Sequence, residues 1–419
     1  MRILWITNLL LPEAYNYFTK KEKKGSGGWL ESSAKELSDS GLVSLYIASA
    51  SPLVKETVSF HCSGINYCVF PFLGNDDARP YESIMQSLRN VIKPDVVHVH
   101  GTEYPYGLAY INIDGPKHVV ISMQGVMSSI AEHYSDGLSK WQIIRNITLR
   151  DLRLKSIIGE EKEYYRRGET EREIIRKANY IMGRTSFDKG FVHSINPSCQ
   201  YFCCNESLRD SFYYEQWKYE ECIPHSIFLS QSNYPVKGLH QFLLTVPEIK
   251  KKYPDIIVRI AGEDITKHET KADIVKYSGY GSIVYHLIKK LELRQCVSFT
   301  GLLNEKEMMN EYLKTNVFVC PSTCENSSNS IAEAQILGTP CIASNRGGNP
   351  DMIPNNRCGL LYDFEDTDRL AELVCEVFQN SPDYDNTEVR ELAIKRHNRR
   401  INLDKTIAVY KTIQSENEG

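Results

Sequence analysis

Short, almost uninterrupted apolar runs recur along the chain with helix-patterned stretches between them, and this alternation constrains the fold more than any other feature. The first series is ILWIT (3–7), SLYIAS (44–49), YCVFPF (67–72), DVVHVH (95–100), HVVISM (118–123) and ANYIMG (178–183). Runs of this kind suit strands buried on both faces, which occur where helices cover a parallel sheet from both sides. The series starts again after Pro224 with SIFLSQ (226–231), DIIVRIAG (255–262), CVSFTG (296–301), VFVCPS (317–322) and PCIAS (340–344). The pattern predicts an α/β chain of two doubly wound domains. Between the two series, residues 205–226 break the periodicity, which puts the first domain at 1–224 and the second at 225–389. The charged stretch from about 390 to 419 brings no new strand and is expected to pack back on the first domain as a helix.

Composition narrows the function classes. At 419 residues, with 42% hydrophobic and 24% charged residues, 25 Gly and 17 Pro, the chain has the make-up of a globular protein rather than a collagen-like or disordered one. Its 49 Lys and Arg against 53 Asp and Glu leave a formal charge of -4, so no global basic field argues for nucleic acid. The twelve cysteines are scattered without a Cys-x-x-Cys pair, which argues against a zinc site. They read instead as small buried hydrophobes in a reducing, cytoplasmic compartment. The opening MRILWITNLL is interrupted at Thr7 and Asn8 and reads as a first buried strand rather than a secretory leader. No run approaches the roughly 18 apolar residues of a spanning helix, so membrane contact is expected to be peripheral at most.

In an open parallel sheet, ligands bind beyond the carboxyl ends of the strands, so the loops there are the places to look. After the first strand, Gly25, Gly27 and Gly28 precede a helix expected near Trp29; glycines there let backbone amides approach an anion, although a surface loop accounts for them as well. Lys20, Lys21, Lys23 and Lys24 beside them read as a solvated loop, with anionic lipid or acceptor as a secondary partner. His98 and His100 lie on one face of a strand, with His100 at its carboxyl edge. Gln124 ends the next run, an amide suited to sugar hydroxyls but not to proton transfer. Lys237 follows SIFLSQ, where it could neutralise a diphosphate without a metal, although a lone surface lysine is the commoner explanation of any single Lys. Glu325 and Glu333 are eight residues apart around a helix expected to start near Asn329, whose N-terminus has the free amides and partial positive charge to hold a pyrophosphate. First-turn capping is the plainer reading of Glu333. A further glycine loop, Arg346-Gly347-Gly348-Asn349, follows the next strand.

Taken together, GSGGW (25–29), DVVHVHG (95–101), ANYIMGRTSFDK (178–189), VKG (236–238), VSFTG (297–301), the PS-x-x-E-x7-E stretch (321–333) and RGGNPDMI (346–353) resemble the retaining, nucleotide-sugar-dependent glycosyltransferases with the GT-B fold, glycosyltransferase family four of the group 1 type. The resemblance is strongest from about 226 to 365. It implies two Rossmann-like domains facing across a cleft, the first for the acceptor and the second for a UDP- or GDP-sugar, with no cofactor and no metal. By it Lys237 meets the donor diphosphate, Glu333 the ribose and Glu325 the transferred sugar, while Asn326, Ser327, Ser328, Asn329 and Ser330 line the sugar and phosphates. Gly27, Gly28 and Ser232 complete the donor set, and His100, Gln124 and Arg184 lie on the acceptor or sugar side, His100 shaping the sugar site with Glu325. Departures occur at Asn326, where the family more often has Gly, at Ser232, where it often has Arg, and at Gln124, where it often has His. Arg184 and Asp188 read equally as an ion pair that only holds structure.

The activity implied is transfer of a hexose-type sugar, with retention, to a glycan or lipid-linked glycan in bacterial surface polysaccharide synthesis. The chemistry would pass through an oxocarbenium-like state, with the leaving phosphate accepting the acceptor's proton. The competing readings are a sugar-nucleotide 2-epimerase and a non-catalytic sugar-nucleotide-binding partner protein. A hydrolase with paired carboxylates fits less well, because both acids come from one nucleotide-type loop.

One stretch belongs to none of these motifs. LSKWQIIRNITLRDLRLKSII (138–158) carries Lys140, Arg145, Arg150, Arg153 and Lys155 against one acid, Asp151, with Trp141, Ile144, Leu152 and Ile158 among its apolar residues. As a basic amphipathic helix it would either lie on an anionic membrane or bury its apolar stripe in the first domain or on a partner.

Overall fold

The computed structural model describes residues 1–21, 28–74 and 77–418. The chain forms two units, one of residues 1–128, 164–209 and 397–419, the other of residues 129–163 and 210–396.

The first unit is built on an eight-stranded sheet. Its strands are β1 (Arg2–Thr7), β2 (Ser44–Ser51), β3 (Val58–Cys62), β4 (Ile65–Pro71), β5 (Val96–His100), β6 (Val119–Ser122), β7 (Tyr180–Gly183) and β8 (Gln200–Cys203), in the order β3-β4-β2-β1-β5-β6-β7-β8. All neighbours are parallel except β3, which pairs antiparallel with β4. That hairpin is absent from the sequence expectation: β3 is only partly buried, and its signal is the Ser63-Gly64 turn, both residues at positive φ, as a two-residue hairpin requires. The two faces of the sheet are covered separately. One carries Ile6, Val97, Val99 and Ile121 under Tyr81, Met85 and Tyr110. The other carries Ile3, Trp5 and Val96 under Leu30, Ala34, Tyr410 and Ile413, so the C-terminal helix Arg399–Glu418 is part of this unit's core.

The second unit has six parallel strands, β9 (Ser226–Leu229), β10 (Ile257–Ile260), β11 (Val297–Phe299), β12 (Val317–Cys320), β13 (Cys341–Ser344) and β14 (Leu360–Tyr362), in the order β11-β10-β9-β12-β13-β14. The central strands β9, β12 and β13 are buried at every residue, as their uninterrupted apolar sequences demand. Chain order reverses between β9 and β12, and a crevice opens at the carboxyl ends of strands at such a point. The first unit has its own reversal between β1 and β5.

Residues 129–163 fall outside the expected division at 224. They belong with the second unit because their polar groups bond there: Asp136 O accepts from His240 Nε2 at 2.8 Å, Thr148 Oγ1 donates to Tyr277 O at 2.7 Å, and Gly279 N donates to Asp151 Oδ2 at 2.8 Å. The stretch 138–158 is not one helix. It breaks into Lys140–Arg145, Leu149–Arg153 and the start of Ile157–Lys177, because Ser139 and Thr148 each cap a new helix with a reciprocal capping box. Among the described residues no helix is long and apolar enough to cross a membrane.

Candidate functional site

In the second unit, the loops after β9 and β12 leave the sheet on either side of the reversal in strand order. The first ends in Pro235–Lys237, a single 3-10 turn, and Gly238 then turns the chain at φ 69 into the helix Leu239–Lys252. A Cβ at Gly238 would lie 1.7 Å from Pro321 O, so only glycine lets the two loops approach this closely. Thr323 N donates to Val236 O at 2.8 Å, joining them through the backbone.

This contact brings together two residues singled out in the sequence. Lys237 Nζ donates to Glu325 Oε1 at 2.6 Å, and Ser322 Oγ donates to the same oxygen at 2.8 Å. Both charged side chains are 16% exposed. Burial works against the lysine ammonium, but the Glu325 carboxylate beside it prevails and holds its pKa above the ordinary lysine range. Glu325 is held from behind as well. Gly348 N donates to Glu325 O at 2.8 Å, and Gly347, at φ 58, would place a Cβ 2.0 Å from that carbonyl oxygen. The Arg-Gly-Gly loop after β13 is thus packed against the backbone that aims the carboxylate. Asn349 secures it by donating from Nδ2 to Ser344 O at 3.0 Å.

The helix after this loop runs Asn329–Leu337, as expected from sequence, with Ser328 capping it by accepting from Ile331 N. Ser328 rather than Glu333 is the cap, so first-turn capping does not account for the buried Glu333 in the middle of the helix. Asn326 is also buried, Ser327 Oγ lies 3.6 Å from Met352 Sδ, and Ser230 Oγ donates to Ser330 Oγ at 2.8 Å. Ser232 is fully buried and its hydroxyl has no protein partner. An orphaned hydroxyl in the loop that leads to Lys237 is what a site for a polar ligand provides. Chemically, the arrangement offers an ammonium, a helix N-terminus and a positioned carboxylate: electrostatic stabilisation of an anionic group rather than a nucleophile with its base.

The first unit holds a separate buried cluster at its own reversal. His98, on β5, bonds through Nδ1 to Tyr410 OH and through Nε2 to Ser122 Oγ, both at 2.6 Å. Tyr410 accepts from Trp5 Nε1 at 3.0 Å, so its own proton goes to His98 Nδ1 and the imidazole keeps its proton on Nε2. Burial, reinforced by the Arg184 charge, pushes the His98 pKa down to about 3. His100, at the end of β5, packs against Trp5 with ring centroids 4.3 Å apart, and both its nitrogens are buried with no protein partner. Burial, then His98 and Arg184, holds it well below the ordinary histidine range, so it is a neutral imidazole able to bond a hydroxyl.

Arg184 is paired with Glu206 and lies over the Trp29 ring. Asp188, its alternative ion-pair partner, instead closes the capping box of the helix Ser186–Ile195, whose N-cap is Thr185, and accepts from Arg184 N at 2.9 Å. Gln124 follows β6 by two residues. Gly28 opens the helix Gly28–Asp39, whereas Gly25, Gly27, Lys23 and Lys24 lie outside the described residues.

Sequence reasoning missed two acids at the loop that follows His100. Glu171 is fully buried and accepts from Thr102 Oγ1, Met127 N and Ser128 N at 2.9 to 3.1 Å. Glu103 has a buried Oε2 with no protein partner, and burial in the first place lifts its pKa to about 7. Glu171, on a long charged helix, carried no sequence signal. Glu103 had one: its place three residues past His100 at a strand end.

Residues 225–396 match the family described as Glycosyl transferases group 1. Spore coat protein SA of Bacillus subtilis (strain 168) is 28% identical over 148 residues, 35% of this chain and 37% of that protein. Alpha-monoglucosyldiacylglycerol synthase of Streptococcus pneumoniae is 27% identical over 217 residues, 46% of this chain and 47% of that protein. The chain thus spans under half the length of either relative. Among solved structures, sucrose-phosphate synthase from Thermosynechococcus elongatus superposes with a TM-score of 0.71 at 13% identity over 99% of each chain. Anabaena HepE in complex with UDP superposes with a TM-score of 0.65 at 13% identity, covering 98% of this chain and 100% of that one. The likeness is one of fold, and the fold is GT-B.

Proposed function

With residues 225–396 forming a glycosyl transferases group 1 domain, we propose that the chain is a retaining glycosyltransferase that moves a hexose-type sugar from a UDP- or GDP-sugar to a glycan or lipid-linked glycan. The observation that carries this reading is the Lys237–Glu325 pair, set between two loops at the sheet's reversal and followed by a capped helix N-terminus. On this reading the bond from the anomeric carbon to the diphosphate breaks, Lys237 and the helix amides take up the charge on the leaving phosphate, and the acceptor hydroxyl attacks on the same face. Its proton passes to the departing phosphate oxygen. Lys237 here does the work a divalent cation does elsewhere, which supports a metal-independent reaction.

Glu333, Asn326 and Ser232 are assigned to the nucleotide and sugar, and Glu325 to the donor sugar; in the first unit, neutral His100, Gln124 and Arg184 are assigned to the acceptor or sugar side. A nucleotide-sugar donor fits relatives such as HepE, whose structure holds UDP, and a lipid-linked acceptor fits the named glycolipid synthase. A cytoplasmic location is supported by twelve cysteines that are all free thiols.

The test is a thermal-shift and turnover screen against UDP- and GDP-sugars in EDTA, following release of nucleoside diphosphate. Stabilisation by one nucleotide with slow release identifies the donor. No stabilisation by any of them overturns the assignment of the second unit. Analysis of the sugar product separates transfer from 2-epimerisation.

A further inference from the structure

Residues 140–154 are folded inside out. Their polar side chains face the second unit: Asn146 Oδ1 accepts from Ser282 Oγ at 2.7 Å, Thr148 bonds Tyr277 O, and the Asp151 carboxylate is buried between Thr148 N and Gly279 N. Of their large apolar side chains only Ile143 is buried; the others face outward, with Trp141 72% exposed, Leu149 67%, Leu152 74% and Leu154 66%, and Ile144 and Ile147 also exposed. Water selects the opposite arrangement in a free surface helix, and an exposed apolar cluster of this size marks a surface with a partner. The cluster continues onto the neighbouring helix Lys271–Lys276, which packs on Leu149–Arg153 and exposes Ile274 and Val275. Beside Trp141 a groove of about 450 Å³ runs between the helices Lys140–Arg145 and Gly279–Lys290, lined by Arg145, Ile283, Leu287 and Lys290.

Charge decides what the partner is. Asp151 is the only acid between 138 and 158, and its carboxylate is spent on backbone amides and on Arg150, so within this stretch Lys140, Arg145 and Arg153 have no acid among them, while Asp273 on the neighbouring helix is engaged by Thr270. Lys155 is held by Glu163. Cations alternating with Trp and Leu along the same surface are the pattern of an interfacial element, apolar side chains entering the acyl boundary while the cations meet headgroup phosphates. The core of a protein interface, by contrast, is depleted in lysine and in interleaved charge.

We propose that residues 140–154, with Ile274 and Val275 beside them, dock the chain on an anionic lipid surface. The segment is a fixed platform rather than a loose flap. The residues that lead into it are tied to the second unit as well: Cys324 Sγ lies 3.5 Å from Ser129 Oγ, and Asp136 O accepts from His240 Nε2 at 2.8 Å. The inference stands on exposure and charge and does not rest on the transfer reaction.

The test is sedimentation with vesicles of phosphatidylcholine alone and of phosphatidylcholine mixed with phosphatidylglycerol, at low and high salt, using the full chain. Retention on the anionic vesicles, at least about tenfold above neutral ones and lost in high salt, is expected. A Leu149→Ser/Leu152→Ser variant is expected to lose retention while keeping its unfolding midpoint and its response to UDP or GDP, since neither leucine touches the donor loops. No retention of the unchanged chain, or equal retention of the variant, overturns the proposal. So does a concentration-dependent dimer that disappears in the variant, which would assign the face to a second copy. Loss of nucleotide response with vesicle binding intact would sink the donor reading and leave this one standing.

Discussion

Lys237 and Glu325 stand 88 residues apart in the chain and 2.6 Å apart in space, an ammonium and a carboxylate brought together by the two loops that leave the sheet where strand order reverses. Neither charge is set for acid–base chemistry: the lysine is held firmly protonated, and the carboxylate is engaged by both the ammonium and Ser322.

Removing either charge separates catalysis from folding. Lys237→Met is expected to lower donor turnover at least about a hundredfold, as loss of a single electrostatic stabiliser does, and Glu325→Ala to abolish it. Each leaves a largely buried charge without its ionic partner, so unfolding stability falls by roughly 3–5 kcal/mol. Circular dichroism and a urea titration check the fold, and nucleoside diphosphate release checks the chemistry. Undiminished turnover in Glu325→Ala would refute its role.

Gly347 is predicted to be intolerant of even one methyl group. Alanine there would need φ 58 and would drive a Cβ to 2.0 Å from Glu325 O, displacing the backbone that aims the carboxylate. We expect a cost of about 1–3 kcal/mol, with donor turnover reduced more than the loss of folded protein explains. Equal activity per folded molecule would show that the backbone position of Glu325 does not matter.

Tyr410→Phe tests the attachment of the C-terminal helix within the first unit. It deletes the hydroxyl that accepts from Trp5 Nε1 and donates to His98 Nδ1, leaving two buried groups unpaired. Each costs about 1–3 kcal/mol when stranded, so a fall of at least about 2 kcal/mol in urea is expected.

The histidine His240 gives a pH dependence with a defined sign. Burial, set against the bond to Asp136 O, holds its folded pKa down to about 4, whereas an unfolded histidine titrates near about 6.5. The unfolded state therefore takes up a proton that the folded state refuses, so the stability His240 contributes is present above about 6.5 and is lost as pH falls toward 4. The slope is about 1.4 kcal/mol per pH unit. In His240→Gln this component should vanish from the pH profile of the urea midpoint, and an unchanged profile would show that the residue does not titrate on unfolding.

Much of the architecture was legible because its signals are local. Central strands such as VVHVH and VFVC announce themselves as short valine-rich runs and are buried at every residue, and the helix after Glu325 begins at Asn329 because Ser328 caps it. Edge elements were less visible. Strand β3 alternates between half-buried and exposed residues, and β14 spans only three residues, too few for a period to show. An ion pair of Arg184 with Asp188, one of two equal readings of the sequence, suggests itself because they are four residues apart, yet that carboxylate is used by backbone amides and the guanidinium reaches Glu206 on another strand's loop.

From the chain alone came the class of fold, the places where strands end and the residue types waiting there, since each depends on neighbours within a few positions. Only the tertiary structure decided which ends meet. Lys237 finds Glu325 because β9 and β12 are adjacent in the sheet although two strands separate them in the chain. It also decided which way residues 140–154 face. Periodicity puts Trp141, Leu149 and Leu152 on a surface of their own, but it carries no sign: whether that surface meets protein or solvent is settled by where Asn146, Thr148 and Asp151 find hydrogen bonds, more than a hundred residues away.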